Sequence, residues 1–211
     1  MEAISIFDIF KIGIGPSSSH TMGPWKAAST FLERCRSLAI FDQIYRVQVD
    51  LYGSLAKTGK GHGTDVAVMM GLIGEDPKTC AVDELGMKIG MILDQGWMKL
   101  GGTRQILFSE PNDIVFRFHD ELPFHPNGIS FTAYLANGKQ HSETYFSEGG
   151  GFIVQEGDEE SSSANIRLPF PIEHGSDLLR YCREEGKLIP EIVFANELVW
   201  RTEREIHDGI E

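Results

Sequence analysis

Long hydrophobic runs are missing from this sequence. Its longest apolar stretch covers residues 66–73 and is interrupted by Gly71, whereas a transmembrane helix needs about 20 apolar residues. The first residues, MEAISIFDIFKIG, carry acidic side chains where a secretory signal would carry positive charge. We therefore expect no membrane partner and no targeting segment.

Cysteine is scarce as well. The three cysteines, Cys35, Cys80 and Cys182, are widely separated, odd in number and form no CxxC pair. Zinc sites and disulfide frameworks need closer or paired cysteines, so neither is indicated, and we predict no metal ligands in this chain. A reducing cytoplasm is the compartment that fits this pattern best.

Positive charge is in deficit. The 19 Lys and Arg residues face 31 Asp and Glu residues, which gives a formal net charge of −12. Because such a chain repels phosphate backbones, we expect no nucleic-acid partner. What is present is an apolar fraction of 41% over 211 residues, enough for a globular core in one large domain or two small ones.

Periodic apolar residues predict the helices. Trp25, Ala28, Leu32 and Cys35 recur at three- and four-residue steps, which is the spacing of one helical face. Pro24 suits the first turn of that helix. The predicted helices cover 24–38, 65–73 and 82–94, then run from Ser176 to near Gly186 and from Pro190 onward.

Alternating polar and apolar residues predict the strands, over 45–51, 114–118, 129–135 and 141–146. Asn137-Gly138, between the last two, is a strong hairpin signal. Residues 53–64 are predicted to form a glycine-rich loop, and 157–165 an exposed linker. The mixture predicts an α+β fold, with helices packed on a largely antiparallel mixed sheet.

A run of small polar side chains interrupts this pattern in residues 13–24, GIGPSSSHTMGP, which we call the serine loop. It precedes a predicted helix, whose unpaired N–H groups and partial positive charge attract anions. The alternative is an N-cap box, in which one hydroxyl caps the helix and the others face water. The number of adjacent donors favours a carboxylate or phosphate site formed by Ser17, Ser18, Ser19, His20 and Thr21.

A second segment, GSLAKTGKGHGTD at 53–65, resembles a phosphate loop but fails its spacing, because Gly61 follows Lys60 where Ser or Thr is required. The flanking glycines leave His62 poorly packed, which predicts an exposed ring. Asp65 either orients that imidazole or, as we favour, caps the following helix.

Two shorter segments follow. HPNG at 125–128 predicts a tight turn entered by His125, which taken alone is typical of an ordinary surface histidine. The triple glycine at 149–151 is either a bulge or backbone held against a ligand or partner. The residues by themselves thus predict an α+β domain that binds a small anion.

In their order and spacing, the segments SIFDIFKIGIGPSSSHT, YGSLAKTGKGHGTD, HPNG and GGGF resemble the N-terminal β domain of bacterial single-chain iron–sulfur L-serine dehydratases. The resemblance runs nearly end to end. It implies a fold similar to the allosteric substrate-binding domain of phosphoglycerate dehydrogenases. It also implies conversion of L-serine to pyruvate and ammonia, in amino-acid degradation and gluconeogenesis, by a cytoplasmic homo-oligomer.

The resemblance further implies a [4Fe–4S] cluster in place of pyridoxal phosphate, with the cluster ligands in a separate α domain that is absent here. Residues 1–160 would form the core of the β domain, and 161–211 a C-terminal strand and helices leading to the linker. The chain is then expected to be a fragment or, alternatively, a free-standing β subunit. In either case we expect it to be inactive by itself.

The same resemblance, with the chemistry of dehydration, indicates the site residues. His62 is the favoured base for the α-proton of serine and His125 the second candidate for proton transfer, because imidazole titrates near neutral pH. The expected substrate-binding residues are Ser17, Ser18, Ser19, His20, Thr21, Lys60 and Asn127. We expect the serine loop and both catalytic candidates to line one cleft.

Two other functions remain open. A regulatory domain would bind a small carboxylate without chemistry, and a structural assembly module would leave the histidines scattered. A site in which His62 and His125 face the serine loop would favour the enzyme.

Overall fold

The computed structural model describes residues 4–10, 13, 15, 17–157 and 166–211. Contacts divide the chain into two compact units. The core unit is Ile12–Asp158, and the terminal unit combines Met1–Lys11 with Glu159–Glu211. Among the residues in these described ranges, no helix is both long enough and apolar enough to cross a bilayer.

The core unit is built on a five-stranded mixed sheet with the strand order β4-β1-β5-β6-β7. Only the β1–β4 pair is parallel, and the other neighbours are antiparallel. A separate hairpin pairs β2 with β3. The strands are β1 Ile44–Tyr52, β2 Trp97–Leu100, β3 Arg104–Leu107, β4 Ile114–Arg117, β5 Gly128–Leu135, β6 Gln140–Gly149 and β7 Phe152–Gln155.

Helices occur in both units. They are α1 Ile6–Ile9, α2 Met22–Ser37, α3 Gly53–His62, α4 Thr64–Leu72, α5 Val82–Gln95, α6 Glu110–Asp113, α7 Gly175–Glu185, α8 Ile189–Glu197 and α9 Glu203–Ile210, with a 3₁₀ turn at Phe41–Gln43. The predicted α+β class and the largely antiparallel mixed sheet are confirmed. The predicted likeness to phosphoglycerate dehydrogenase domains stays a prediction.

The apolar stripe of α2 explains where the core lies. Trp25, Ala28, Leu32 and Cys35 are all buried, as their spacing predicted. Phe31, on the same helix, stacks on Phe131 of β5 with the ring centroids 5.1 Å apart. Since a buried Leu or Phe side chain contributes about 1.5–3 kcal/mol, this stripe anchors α2 to the sheet.

The predicted loop at 53–64 is wrong, because most of it forms α3. Gly53 begins the helix at φ +52, where a Cβ would lie 2.3 Å from the carbonyl oxygen of Pro126. A Cβ on Gly59 would lie 2.8 Å from Oγ1 of Thr64, and Gly63 ends the helix in the left-handed conformation. The glycines that lower helix propensity are thus required here by close packing and by the C-terminal turn.

The C-terminal region also differs from expectation. Residues 166–211, the part of it that the structure describes, form three helices and no strand. Helix α7 begins at Gly175 rather than at a Ser176 cap, because the Asp177 carboxylate accepts from the N–H of His174 at 2.9 Å. The predicted linker at 157–165 lies, apart from Gly157, outside the described residues.

A buried carboxylate explains why the first residues belong to the terminal unit. Glu197, only 2% exposed, accepts from the Ser5 hydroxyl at 2.8 Å and from the N–H of Ile6 at 2.7 Å. Arg201 donates to Ser5 Oγ at 2.9 Å and lies over the ring of Phe7. A buried charge needs such partners, so the N-terminal segment is held on the C-terminal helices.

Candidate functional site

The sheet brings three chain segments to one of its ends. Strand β1 ends at Tyr52 and runs directly into α3, while β5 begins at Gly128, directly after the HPNG turn. Leu51 pairs with Ile129 in the antiparallel register, so the end of β1 lies beside the start of β5. Gly128 in turn pairs with Phe146, which places the end of β6 next to both.

The serine loop folds back on itself before α2. The carbonyl of Ser17 accepts from the backbone N–H of Thr21 at 2.9 Å and from its hydroxyl at 2.6 Å. Thr21 is the N-cap residue of α2, yet its side chain makes no capping bond. The Thr21 hydroxyl therefore does not cap α2, as the N-cap alternative would require. It closes the loop instead.

His20 is the buried centre of this loop. Its Nδ1 lies 2.9 Å from the hydroxyl of Ser19 and 3.5 Å from that of Ser17. Its Nε2 lies 3.2 Å from Ser54 Oγ and 3.0 Å from Thr58 Oγ1, both on α3. His20 is 9% exposed, and its ring links the serine loop to α3 through both nitrogens.

His62 follows Thr58 by one helical turn and lies beside His20, with the ring centroids 4.8 Å apart. Its Nδ1 is 2.8 Å from the carbonyl oxygen of Thr58. A carbonyl can only accept a hydrogen bond, so Nδ1 carries the proton of the neutral ring. The Nε2 lone pair of His62 is then available to accept a proton. The ring is partly buried rather than fully exposed.

His125 carries the opposite arrangement. The backbone N–H of Asn127 donates to His125 Nδ1 at 3.1 Å, so Nδ1 is the acceptor and the neutral ring carries its proton on Nε2. The turn is bonded directly to α3, because the N–H of Ser54 donates to the carbonyl of Pro126 at 2.8 Å. Ser54 thus contacts both the HPNG turn and His20.

Asn127 and Ser147 tie the turn to the serine loop. The Asn127 side-chain amide donates to the Ser147 carbonyl at 2.9 Å, and the Ser147 hydroxyl donates to the Ser19 carbonyl at 2.8 Å. Asn127 Oδ1 is buried and has no hydrogen-bond partner. An unpaired buried acceptor costs about 1–3 kcal/mol, and an N–H or O–H group of a ligand would satisfy it.

The triple glycine also reaches the serine loop. The backbone N–H of Gly150 donates to Ser18 Oγ at 3.1 Å. The register of the β6–β7 pair shifts between Ser147 and Gly149, which fits the bulge interpretation. That this backbone is held against a ligand or partner stays a prediction. Ser18 itself is exposed, and accepting this bond leaves its hydroxyl proton uncommitted.

Lys60 points to a different set of partners. Its ammonium lies 2.5 Å from Asp65 Oδ2 and 2.6 Å from Glu110 Oε1, and these two hydrogen bonds raise the pKa of Lys60. Asp65 therefore neither caps α4, whose N-cap is Gly63, nor orients His62, which Thr58 does. The two carboxylates already balance the charge of Lys60.

The protonation of His20 follows from its surroundings. Burial, and then the charge of neighbouring His62, lowers the pKa of His20 below its ordinary value of 6.5, against a hydrogen bond to the backbone of Ser54 that raises it. His20 is consequently neutral at physiological pH, and the buried ring serves as a hydrogen-bonding group.

Three residues of this hydrogen-bonded cluster were missed by sequence reasoning: Ser54, Thr58 and Ser147. Ser54, Thr58 and His62 are spaced by four residues and share one face of α3, a signal concealed by the glycines around them. Ser147 gave no such signal, because only the pairing of β6 brings it to the HPNG turn.

The cysteines do not fit the role of cluster ligands. Cys35 is fully buried in the core, where desolvation first and the charge of Glu143 second raise the pKa of its thiol to about 12. Burial also raises the pKa of Cys80, and Cys182 lies on α7 of the terminal unit. Cluster iron binds thiolates that converge. Within the described part of the chain, no three His, Cys, Asp or Glu side chains form a metal-binding group.

Comparison with known families decides the identity of the core unit. The sequence profile of the family described as serine dehydratase beta chain matches residues 5–158. This chain belongs to that family. The residues that match the family include the serine loop, α3, the HPNG turn and the triple glycine.

Named relatives extend the likeness of this serine dehydratase beta chain to its C-terminal helices. It is 42% identical over 212 residues to an L-serine dehydratase of Streptomyces coelicolor, covering 99% of this chain and 47% of the relative. L-serine dehydratase 1 of Escherichia coli is 41% identical over 208 residues, with 97% and 45% covered. The Helicobacter pylori L-serine dehydratase is 37% identical over 201 residues, with 93% and 44% covered. The chain spans about half the length of these relatives.

Proposed function

We propose that this chain is the substrate-binding, proton-transferring portion of an L-serine dehydratase, which converts L-serine to pyruvate and ammonia. The observation that carries the proposal is the joining of the serine loop, α3 and the HPNG turn around His20 and Ser54. Relatives named L-serine dehydratase support the substrate. An assembly module would have no need of this buried polar cluster.

His62 takes the role of base. Its Nδ1–H is held by the Thr58 carbonyl, so Nε2 accepts the α-proton of serine. Loss of that proton and of the β-hydroxyl, as water, leaves an enamine. The enamine tautomerises to an imine, which hydrolyses to pyruvate and ammonia. General-base catalysis of this type contributes about 10²–10⁴-fold to a rate.

His125 and Asn127 take complementary roles: His125 is the second candidate for proton transfer, and Asn127 binds the substrate. The Nε2–H of His125 can donate to the substrate, because Nδ1 is already the acceptor for the Asn127 N–H. The unpaired Oδ1 of Asn127 is suited to the α-ammonium group of serine. The ammonium group of an amino acid would satisfy this acceptor, whereas a carboxylic acid with only hydrogen on its α-carbon would leave it unpaired.

The serine loop is suited to the substrate carboxylate. Ser18 keeps its hydroxyl proton for a ligand while accepting from Gly150. Ser17 and Ser19 lie beside it with hydroxyls 3.3 Å apart. Charge-assisted bonds from such donors fix the orientation of the carboxylate, and through it the α-hydrogen.

The remaining part of the enzyme lies outside this chain in our proposal. The [4Fe–4S] cluster would be bound by a cysteine-bearing α portion, since the cysteines here do not fit that role. We further propose a cytoplasmic homo-oligomer that acts in amino-acid degradation and gluconeogenesis, does not use pyridoxal phosphate, and is inactive without the α portion.

Binding of L-serine to this chain tests the proposal. We expect NMR signals of His62, His125 and the Asn127 side-chain amide to shift on titration, while signals of α7–α9 do not. 3-Hydroxypropionate, which is serine without its ammonium group, is the control and should bind more weakly. Equal binding of both compounds would favour a regulatory carboxylate site, and no shift in the cluster would contradict the proposal.

A further inference from the structure

Thr58 contacts both adjacent histidines through two different atoms. Its hydroxyl lies 3.0 Å from Nε2 of His20, and its carbonyl oxygen lies 2.8 Å from Nδ1 of His62. Each of these two atoms constrains the tautomer of one ring. The hydroxyl favours a hydrogen on Nε2 of His20, and the carbonyl favours a hydrogen on Nδ1 of His62.

The hydroxyl of Thr58 has a single proton, and a backbone carbonyl that can accept it lies close by. Oγ1 donates to the Ser54 carbonyl at 3.0 Å, one turn earlier in α3. While it makes that bond, the same oxygen can only accept from His20, so both hydrogen bonds form together only when Nε2 of His20 carries the hydrogen. His20 Nδ1 then accepts from Ser19, whose hydroxyl lies 2.9 Å away.

Ser54 does not impose this choice. Its hydroxyl is 3.2 Å from the same Nε2 atom and can rotate either to donate or to accept. It therefore satisfies both tautomers of His20. Of these two hydroxyl contacts to Nε2, the one from Thr58 decides where the proton lies.

We propose that Thr58 is a positioning residue that fixes opposite tautomers of the two histidines. His20 carries its proton on Nε2, and His62 carries its proton on Nδ1. The consequence rests on the proposed function: His62 presents an Nε2 lone pair for proton transfer, while Nε2 of His20 is a donor and does not compete.

This role defines which chemical groups are needed at position 58. A hydroxyl is needed one turn after Ser54, and a helical carbonyl is needed one turn before His62. Thr58→Ser keeps both groups, whereas Thr58→Val keeps the shape and the carbonyl but removes the hydroxyl. Because the side chain of Thr58 is exposed, neither substitution removes buried packing.

The test is NMR of this chain with ¹⁵N-labelled histidine, since the ¹⁵N shift of a ring nitrogen reports whether it carries a proton. We expect one tautomer for each ring in the parent and in Thr58→Ser. In Thr58→Val, His20 should become a mixture of both tautomers while His62 keeps its proton on Nδ1. Ser54→Ala is the matched control and should retain the parent signature.

A single unchanged tautomer of His20 in Thr58→Val would overturn the proposal. So would a mixture in Ser54→Ala with none in Thr58→Val, because Ser54 would then be the deciding contact. These measurements need no substrate. If the tautomer proposal failed, the L-serine titration would still test the proposed function. If L-serine did not bind, the tautomer measurement would still test the role of Thr58.

Discussion

The rings of His20 and His62 lie 4.8 Å apart and are tilted by 40° to each other. One ring is supplied by the serine loop and the other by α3, so their approach depends on packing between segments 42 residues apart in the sequence. Two imidazolium ions at this distance would repel each other. A state in which both rings are charged is therefore disfavoured.

Folding stability should fall in mild acid because of His20. The pKa of His20 is lowered in the folded chain, so the unfolded chain takes up a proton first as the pH falls through about 6.5. The contribution of neutral His20 is fully present above that pH and is lost as the pH falls towards the lower folded pKa. Urea unfolding at a series of pH values should show a smaller acid loss in His20→Gln than in the parent.

The exposed histidine His119 provides the control for that experiment. His119→Gln should retain the acid loss of the parent chain. If His20→Gln and the parent lost stability equally between neutral and mildly acidic pH, the neutral His20 described here would be wrong.

Removing the Ser147 hydroxyl should destabilise the core unit. Ser147 is fully buried and donates to the Ser19 carbonyl at 2.8 Å. Ser147→Ala leaves that carbonyl without this donor, which should lower the free energy of unfolding by about 1–3 kcal/mol. Ser142→Ala, on the exposed part of the same strand, should change it by less than about 0.5 kcal/mol. Equal effects of the two variants in urea unfolding would argue against the contact.

Two glycines of α3 should respond to alanine in opposite directions. A Cβ on Gly61 meets nothing within 4 Å, so Gly61→Ala should stabilise the helix by roughly 0.5–1 kcal/mol. A Cβ on Gly59 would lie 2.8 Å from Thr64 Oγ1, which is fixed by its bond to the His20 carbonyl. Gly59→Ala should therefore lower the melting temperature while Gly61→Ala raises it. If both variants lowered the melting temperature, the result would favour a loop rather than a helix at residues 53–62 and would contradict this prediction.

Ser18 should matter for binding and not for folding. Its side chain is exposed, and a hydrogen bond to a charged group is worth about 1.5–3 kcal/mol, or roughly tenfold or more in affinity. Calorimetric titration with L-serine should show this loss in Ser18→Ala, with the melting temperature unchanged. Ser176→Ala on exposed α7 is the control. Unchanged affinity across single alanine variants of Ser17, Ser18 and Ser19 would contradict a carboxylate site.

Local patterns were sufficient to predict much of the fold. The stripe that includes Trp25 and Leu32 predicted α2, and Asn137-Gly138 predicted the β5–β6 hairpin that the structure contains. Local patterns failed where tertiary contacts override propensity, above all in α3, where Gly53 and Gly59 are needed for close packing. That error concealed Thr58, because a residue in a loop has no helical neighbours to align with.

The candidate site was predictable as residue types but not as an arrangement. The sequence indicated His20, His62 and Asn127, yet only the β1–β5 pairing brings α3 to the HPNG turn. The ion pairs of Lys60 were not predictable from its residue type. Its long side chain reaches Glu110, which is 50 residues away in the sequence.

The most direct test of the central claim is pyruvate formation from L-serine by this chain mixed with the cysteine-bearing remainder of the Streptomyces coelicolor relative, after anaerobic treatment with iron and sulfide. We expect no pyruvate from either part alone and pyruvate from the mixture. His62→Gln should lower that rate by about 10²-fold or more while L-serine still binds. Pyruvate formation by this chain alone, or an unchanged rate with His62→Gln, would contradict the account.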